Sequence, residues 1–167
     1  NLGWAHTVNY PDKIDVFQLQ MNPANNNQYK FDDQWIDLEI NKAKLKVKGI
    51  PVTIGKKIYW SKYGPTLKTK KGVFSMRIPA MMDIKAMEQW YRMNKAKNFT
   101  EFYQALSMTS LPMFNIMYAD RYDTVFYINN ASMPVRNSST NYNWKKTIPG
   151  NTSQTLWTAF RDIKKLP

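Results

Sequence analysis

Apolar and polar residues alternate over several short stretches in the first half of the chain, and this period of two predicts β-strands. Residues 2–8 predict a strand around Trp4, and residues 14–21 predict a stronger one. Over residues 40–48, aliphatic side chains interleave with lysines, so one face of that strand packs and the other carries ammonium groups. The remaining strands of this half are predicted at residues 29–31, 35–39, 57–60 and 72–78.

The pattern changes after Pro79, where apolar residues recur at helical spacing. Met87, Trp90 and Met93 lie on one stripe of a first predicted helix. A second helix is predicted from about Phe99 to Leu106, with Asn98 or Thr100 as its N-cap. After it come a predicted hairpin (111–118 and 124–128), a long polar loop over 129–154 and a final helix over 154–164.

The order of these elements indicates the α+β class, with antiparallel strands and two consecutive helices. No repeat or linker divides the chain, so residues 1–167 are predicted to form one segment. Its parts are a strand-rich region (1–78), a helical region (80–108) and a region of hairpin, loop and terminal helix (111–167).

Composition excludes several kinds of site. The 167 residues are 43% hydrophobic and contain no cysteine, which rules out disulfides and thiolate chemistry. His6 is the only histidine, so a multi-histidine zinc site cannot form within the chain. No apolar run is long enough to predict a membrane span. The chain opens at Asn1 without an initiator methionine, which leads us to expect a processed or excised piece.

The chain has a net charge of +12, and the segment from Ile40 to Lys71 holds ten lysines and no acidic residue. One interpretation is an electrostatic surface for nucleic acid, anionic lipid or an acidic partner. The alternative, which we favour, is a solvated strand face whose lysines protect an edge against pairing. Arginine occurs only five times and no nucleic-acid-binding module is recognisable, so no nucleic-acid partner is expected.

Three segments, in order, resemble the penicillin amidase family of N-terminal nucleophile hydrolases. The first is Gly-Trp-Ala-His-Thr-Val-Asn at residues 3–9, followed by Asp-Lys-Ile-Asp-Val-Phe at 12–17. The second is Asn-Lys-Ala-Lys-Asn-Phe at 94–99. The third is Asn-Ile-Met-Tyr-Ala-Asp at 115–120, leading to Met-Pro-Val-Arg at 133–136 and Ile-Pro-Gly at 148–150. The first segment looks most like the aculeacin and acyl-homoserine-lactone acylase branch.

The resemblance implies a piece of the αββα fold of these hydrolases, from the middle of the β chain. Family members hydrolyse amides with a serine at the first position of the β chain, whose α-amino group serves as the base. Residue 1 here is asparagine, so the isolated fragment is expected to be inactive. A parent that has itself lost the nucleophile, and a non-catalytic basic module that binds polyanions, remain alternatives.

The resemblance also assigns roles to individual residues. Val8 matches the position whose backbone N–H helps to bind the oxyanion, a main-chain role that any side chain allows. His6, Tyr10, Trp90 and Phe114 fall where the family places acyl-pocket side chains, although core packing explains the aromatic residues equally well. For His6, a place in the pocket wall or a structural role is favoured over proton transfer, because no nucleophile is visibly paired with it.

A calcium site is a further implication of the resemblance. Asp12 and Asp15 match a calcium-binding pair in some members, with the Ile14 carbonyl between them and the Trp144 carbonyl as another candidate ligand. Oxygen ligands of this kind suit calcium, which needs six to eight of them. No cofactor is expected to be required, and the calcium would be structural and belong to the parent protein.

The expected partners follow from the same resemblance. They are the remaining α- and β-chain segments of the same precursor and a small acylated-amine substrate. Most of the family is periplasmic or secreted in bacteria, so the parent is expected there. The turn over residues 120–123 reads Asp-Arg-Tyr-Asp, where the family commonly has a glycine.

Overall fold

The computed structural model describes residues 1–139 and 141–167, which form two compact units. Unit 1 contains Asn1–Lys13, Ile78–Val135 and Thr158–Pro167, and unit 2 contains Ile14–Arg77 and Arg136–Trp157. Each unit is therefore assembled from segments that are far apart in sequence.

Twelve strands and two α-helices are present in the described part of the chain. In chain order the strands are β1 (Leu2–Val8), β2 (Asp15–Leu19), β3 (Met21–Asn22), β4 (Asn25–Phe31), β5 (Gln34–Asp37), β6 (Glu39–Lys46), β7 (Thr53–Ser61), β8 (Gly64–Thr69), β9 (Gly72–Arg77), β10 (Phe114–Asp120), β11 (Val125–Asn130) and β12 (Ile148–Pro149). The helices are α1 (Ala86–Lys95) and α2 (Phe99–Leu106). This combination of many strands with two consecutive helices confirms the predicted α+β class.

Unit 1 consists of an antiparallel sheet, in the order β1–β10–β11, and the two helices. Side chains from both helices, from β10 and β11 and from two connecting segments form its core; they are Met93, Phe102, Ala105, Leu106, Leu111, Ile116, Tyr118, Ile128 and Ile163. Asn98 begins α2, because its side-chain oxygen accepts the Glu101 N–H at 2.9 Å. The core thus lies between the helices and one face of this sheet.

A buried amide pair lies within the unit 1 core. The Gln89 Oε1 accepts the backbone N–H groups of Ser110 (2.7 Å) and Leu111 (3.0 Å), and its Nε2 donates to Asn130 Oδ1 at 3.3 Å. Asn130 in turn donates to the Leu106 carbonyl at 3.1 Å. These bonds fix α1 against the loop after α2, and they bury a glutamine on a helix whose Met87 and Tyr91 are exposed.

Unit 2 contains a six-stranded sheet in the order β12–β2–β9–β8–β7–β6 and a small sheet in the order β3–β4–β5. The β12–β2 pair is parallel and the other pairs are antiparallel. Phe17 and Tyr63 stack in its core with ring centroids 4.4 Å apart. Gly150 follows β12 directly, and a Cβ at that position would lie 2.7 Å from Leu19 Cδ2, so only glycine fits there without a shift.

Two expectations about local structure were wrong. No α-helix covers residues 154–164; short 3-10 turns occur at Ser153–Thr155 and Ile163–Lys165 instead. The segment between them is extended, and Phe160 forms a β-bridge with Pro134 in unit 1. Tertiary pairing therefore prevails over a weak helical pattern. The other miss is β8, which lies between the predicted strands at 57–60 and 72–78 and was not expected.

The turn between β10 and β11 keeps its shape without glycine. Asp123 adopts a left-handed conformation with φ 62°, which aspartate tolerates better than most residues. Asp120 Oδ1 accepts the backbone N–H groups of Tyr122 (2.8 Å) and Thr124 (3.2 Å), which satisfies the donors of the turn. In the described residues, no helix is long and apolar enough to cross a bilayer.

Candidate functional site: an aromatic wall on strand β1

Strand β1 places Trp4, His6 and Val8 on the same face of the unit 1 sheet. Their cross-strand partners on β10 are Tyr118, Ile116 and Phe114, respectively. Residues directly opposite in antiparallel strands share a face, and Ile116 and Tyr118 are buried in the core. Trp4, His6 and Val8 therefore project from the side of the sheet that the helices cover.

His6 lies among three aromatic rings, those of Trp4, Trp90 and Phe114. We call these four residues the aromatic wall. The His6 imidazole is 4.5 Å from the Phe114 ring in an edge-on arrangement and 5.7 Å from Trp4, on which it stacks. The Trp90 ring of α1 is 6.1 Å from His6 and 5.8 Å from Phe114. The structure thus brings together three of the four expected acyl-pocket residues, His6, Trp90 and Phe114, and adds Trp4.

Trp90 carries a polar group that the described residues leave unmatched. Its Nε1 is buried and has no hydrogen-bond partner in the described part of unit 1. A buried donor without an acceptor costs free energy, so an oxygen acceptor delivered by a ligand or another chain segment would be favourable here. The aromatic wall therefore combines apolar surface with one available N–H donor.

Tyr10 lies outside the aromatic wall. Its side chain is 89% exposed and makes no ring contact among the described residues. Val8 is the last residue of β1 and is 55% exposed, in contrast to the buried middle of the paired strand β10. The expected oxyanion position is thus at the open end of β1, opposite Phe114.

A polar network that the sequence reasoning missed lies directly after Val8. The Asn9 Nδ2 donates to Asn129 Oδ1 at 2.8 Å, and the Tyr127 hydroxyl donates to Asn115 Oδ1 at 2.9 Å. Asn115 also donates to the Thr7 hydroxyl at 3.2 Å. Asn9 is buried, and its Oδ1 has no partner among the described residues. The clue in the sequence is that asparagines occur at positions 9, 115 and 129, which the register of the sheet brings to the same end.

The expected calcium ligands divide between the two units. Asp12 belongs to unit 1, whereas Ile14, Asp15 and Trp144 belong to unit 2. Lys13, which follows Asp12, is almost fully buried, and this burial lowers the pKa of its amine to about 8. No group of three or more His, Cys, Asp or Glu side chains suited to a metal occurs within residues 1–139 and 141–167.

The Asp15 carboxylate is engaged by nitrogen donors on both oxygens. Arg136 donates from Nε to Oδ2 at 3.1 Å and from Nη2 to Oδ1 at 3.0 Å, and Trp157 Nε1 donates to Oδ2 at 2.7 Å. The Arg136 guanidinium also lies 5.4 Å from the Trp144 ring centroid. In this arrangement a guanidinium already neutralises the carboxylate, so the unit 2 residues do not fit a calcium ion.

The opposite face of the unit 1 sheet is apolar and open. A depression of about 600 Å³ lies over it, lined in part by Gly3, Ala5, Met117, Ala119 and Tyr127. Its small residues let another layer approach the strands closely, and Met117 and Tyr127 are exposed along its lining. This face has the character of a surface that packs against further protein.

Comparisons with known proteins identify the family. The family described as Penicillin amidase matches residues 1–167, the whole chain. The chain belongs to the penicillin amidase family. Its members are acylases, N-terminal nucleophile hydrolases that act on amide bonds.

Named relatives agree with this assignment. The chain is 25% identical over 145 residues to an acyl-homoserine lactone acylase PvdQ from Pseudomonas fluorescens and 26% identical to that of Pseudomonas savastanoi pv. phaseolicola. Each match covers 80% of this chain and 19% of the relative. The chain thus spans about a fifth of the length of these relatives.

A solved structure gives the same fold. The thermostable penicillin G acylase from Alcaligenes faecalis superposes with a TM-score of 0.84 and 23% sequence identity. The match covers 99% of this chain and 30% of that chain. Both units of the present chain therefore correspond to part of a larger acylase fold.

Proposed function

We propose that this chain is part of an amidohydrolase that cleaves the amide bond of an acylated amine. The aromatic wall carries the proposal, because two of its residues, Trp4 and His6, lie on the strand that ends at Val8, the residue expected to bind the oxyanion. In the whole protein, an N-terminal serine outside this chain would attack the amide carbonyl. The C–N bond would then break, the amine would leave with a proton, and water would hydrolyse the resulting ester. This chain alone lacks the nucleophile.

The residues of unit 1 would have two roles in that reaction. The backbone N–H of Val8 would donate to the developing oxyanion; loss of one such donor lowers the rate by roughly 10²–10³. Trp4, His6, Trp90 and Phe114 would bind the acyl group, since each buried methylene contributes ~0.8 kcal/mol. Tyr10, which is exposed in this chain, would reach the acyl group only after packing by other segments.

The test uses the full-length polypeptide that contains this chain and its serine-initiated segment. Trp90→Ala is expected to raise KM for amides with long acyl chains more than for those with short ones, because it removes apolar wall. Trp35→Ala, at a partly exposed tryptophan of unit 2, is the matched control and should leave both KM values unchanged. Equal KM values in wild type and Trp90→Ala across the series would exclude an acyl-binding role.

His6→Phe separates the two roles considered for the histidine. Phenylalanine keeps the ring contacts but cannot transfer a proton, so kcat should stay within about threefold of wild type if His6 only lines the pocket. A loss of about 10² or more in kcat would assign proton transfer to His6 instead. A gene without a serine-initiated segment upstream of Asn1 would overturn the hydrolase proposal and favour a non-catalytic homologue.

Further precursor segments and a periplasmic or secreted location are also parts of this proposal. They rest on the family assignment, and their first measurements are co-purification of the other segments and cell fractionation. A small acylated amine is the proposed substrate class, because the rings of Trp4, Trp90 and Phe114 suit an apolar acyl group.

A second candidate function is favoured by the hairpin of β6 and β7. The register places Lys42 directly opposite Lys57, and Lys44 and Lys46 continue the same face. Like charges in such a pair are destabilising, and a bound polyanion would relieve the repulsion. Lys68 lies over the Tyr59 ring of β7 and adds to the positive charge near the hairpin, whereas Lys62 lies over the Phe31 ring of β4.

A salt titration tests this binding function. Heparin should bind the protein at low salt, with an affinity that falls steeply as salt increases. The triple variant Lys42→Gln, Lys44→Gln, Lys46→Gln should weaken binding at least tenfold. Its control changes three exposed lysines elsewhere to glutamine, Lys145, Lys146 and Lys164. No binding at low salt, or an equal loss in both triple variants, would reject a binding function for the hairpin.

A further inference from the structure

We infer that the Arg136 guanidinium takes the structural place of a divalent cation at Asp15, so that unit 2 is held together without metal. The Asp15 side chain is fully buried, and that of Arg136 is 17% exposed. Two donors of one guanidinium meet the two carboxylate oxygens at 3.1 and 3.0 Å. This paired geometry is the strong form of a charge-assisted hydrogen bond.

Two tryptophans extend the cluster around Asp15. Trp157 Nε1 donates to Oδ2 at 2.7 Å, which adds a neutral donor to the oxygen already bound by Arg136 Nε. The other side of Arg136 faces the Trp144 ring at 5.4 Å, where a cation is favourable. The charge of the buried carboxylate is therefore balanced within unit 2.

The cluster joins parts of unit 2 that are far apart in sequence. Asp15 begins β2, whereas its partners belong to the second segment of unit 2, Arg136–Trp157. Arg136 is 121 residues from Asp15 in sequence, and Trp157 is 142 residues away. The same segment pairs with β2 through Ile148 opposite Phe17. A structural cation can link distant segments of a chain, and in unit 2 hydrogen bonds between side chains provide this link.

Calcium would compete with this arrangement at a disadvantage. It needs six to eight oxygen ligands at roughly 2.3–2.6 Å, whereas both Asp15 oxygens already accept hydrogen bonds from nitrogen donors. A second cation beside the carboxylate would also be repelled by the guanidinium. The resident positive charge thus excludes the metal.

Metal content and thermal unfolding of the full-length polypeptide test this inference. Calcium whose binding depends on Asp15 should amount to well under one ion per wild-type chain. The Tm of the wild type should move by less than about 2 °C between EDTA and millimolar calcium. A stoichiometric calcium ion that is lost in the Asp15→Asn variant would overturn the inference. Neither readout uses amide hydrolysis, so a negative result here leaves the proposed function intact.

Arg136→Gln supplies the reciprocal test. Removing the guanidinium leaves a buried charge, so Tm should fall by roughly 5–15 °C in EDTA. Calcium should then restore part of the loss, because it can reach the carboxylate. Arg121→Gln, at an exposed arginine stacked on Tyr122, is the matched control and should show neither effect. If Arg136→Gln fails to fold, Arg136→Lys is measured instead. Lysine keeps the positive charge but cannot form the paired hydrogen bonds of the guanidinium to both Asp15 oxygens. A Tm of either Arg136 variant that equals that of wild type would overturn the inference.

Discussion

His6 shows how neighbouring side chains decide what a single residue can contribute. The imidazole is the only one in the chain, yet its neighbours in unit 1 are the rings of Trp4, Trp90 and Phe114. A proton-transfer residue needs a hydrogen-bonding partner within reach, and an aromatic surrounding favours apolar contact instead. The pocket-wall interpretation of His6 stays a prediction, which the His6→Phe variant tests.

A pH prediction belongs to Asp32, in the turn between β4 and β5. Its Oδ1 accepts the Ser153 N–H at 2.9 Å and the hydroxyls of Ser153 and Thr152. The Ser153 backbone N–H, above all, holds the pKa of this carboxyl below its ordinary value, with further lowering by the hydroxyls. Because the folded pKa is the lower one, Asp32 contributes stability above its unfolded pKa, and this contribution is lost as the pH falls through the folded pKa.

Asp32→Asn should therefore reduce the fall in the free energy of unfolding between about pH 5 and about pH 2. Asparagine tolerates the left-handed backbone at this position, where φ is 52°, so the turn itself should persist. Urea unfolding at several pH values measures the slope. Asp33→Asn, which makes the same charge change in the same turn without removing the Asp32 contacts, is the comparison. Identical slopes for Asp32→Asn and wild type would show that Asp32 is not the titrating group.

At the scale of elements, some helices and strands are determined by neighbouring residues in the sequence, and others by contacts with distant segments. Helix α2 begins at Asn98 because that side chain caps the Glu101 N–H, a signal contained within four residues. Strand β12 is only two residues long, and it exists because Phe17 and Gln18 of β2 lie beside it. A local pattern can predict the first but not the second.

The α2 cap gives a prediction of moderate size. Asn98→Ala should lower the free energy of unfolding by about 1 kcal/mol, whereas Asn98→Asp should restore most of it, because aspartate also accepts the N–H. Chemical denaturation measures both variants, and amide exchange at the first turn of α2 should speed up only in the alanine variant. Equal stability of the two variants would show that the cap contributes little.

The close approach of Gly150 to β2 gives a second prediction for an element. A Cβ there would lie 2.7 Å from Leu19 Cδ2 and 3.0 Å from the Gln18 carbonyl oxygen. Gly150→Ala should therefore destabilise the protein by about 1–3 kcal/mol through overpacking. Gly55→Ala is the control, since a Cβ at Gly55 meets nothing within 4 Å. The two glycine variants are compared by urea unfolding, and equal midpoints would mean that β2 moves aside at little cost.

At the scale of the whole molecule, apolar faces remain open in each unit. In unit 1, Met117 and Tyr127 are exposed on the outer face of the sheet; in unit 2, Leu45 and Ile54 are exposed as a cross-strand pair. Exposed apolar surface of this kind favours packing against other protein. The chain also spans about a fifth of the length of its PvdQ relatives.

We expect the 167-residue chain by itself to self-associate through these faces. Sedimentation velocity should show concentration-dependent oligomers, and the double variant Met117→Glu, Tyr127→Glu should shift the distribution towards monomer. Lys44→Glu, Lys56→Glu, which changes charge without removing apolar surface, is the comparison. A monodisperse monomer of the wild-type chain at high concentration would contradict the expectation.

Local and compositional properties were predictable from the sequence alone. Period-two alternation located most strands, helical spacing located α1 and α2, and ordered motifs such as those at residues 3–9 and 115–120 identified the family. The tertiary structure alone decided three further points: that His6, Trp90 and Phe114 meet while Tyr10 stays apart, that Gln89 is buried, and that Asp15 pairs with Arg136. Each of these three points depends on contacts between residues that are distant in sequence. Packing and charge compensation determine which of these contacts form, and no local sequence pattern encodes them.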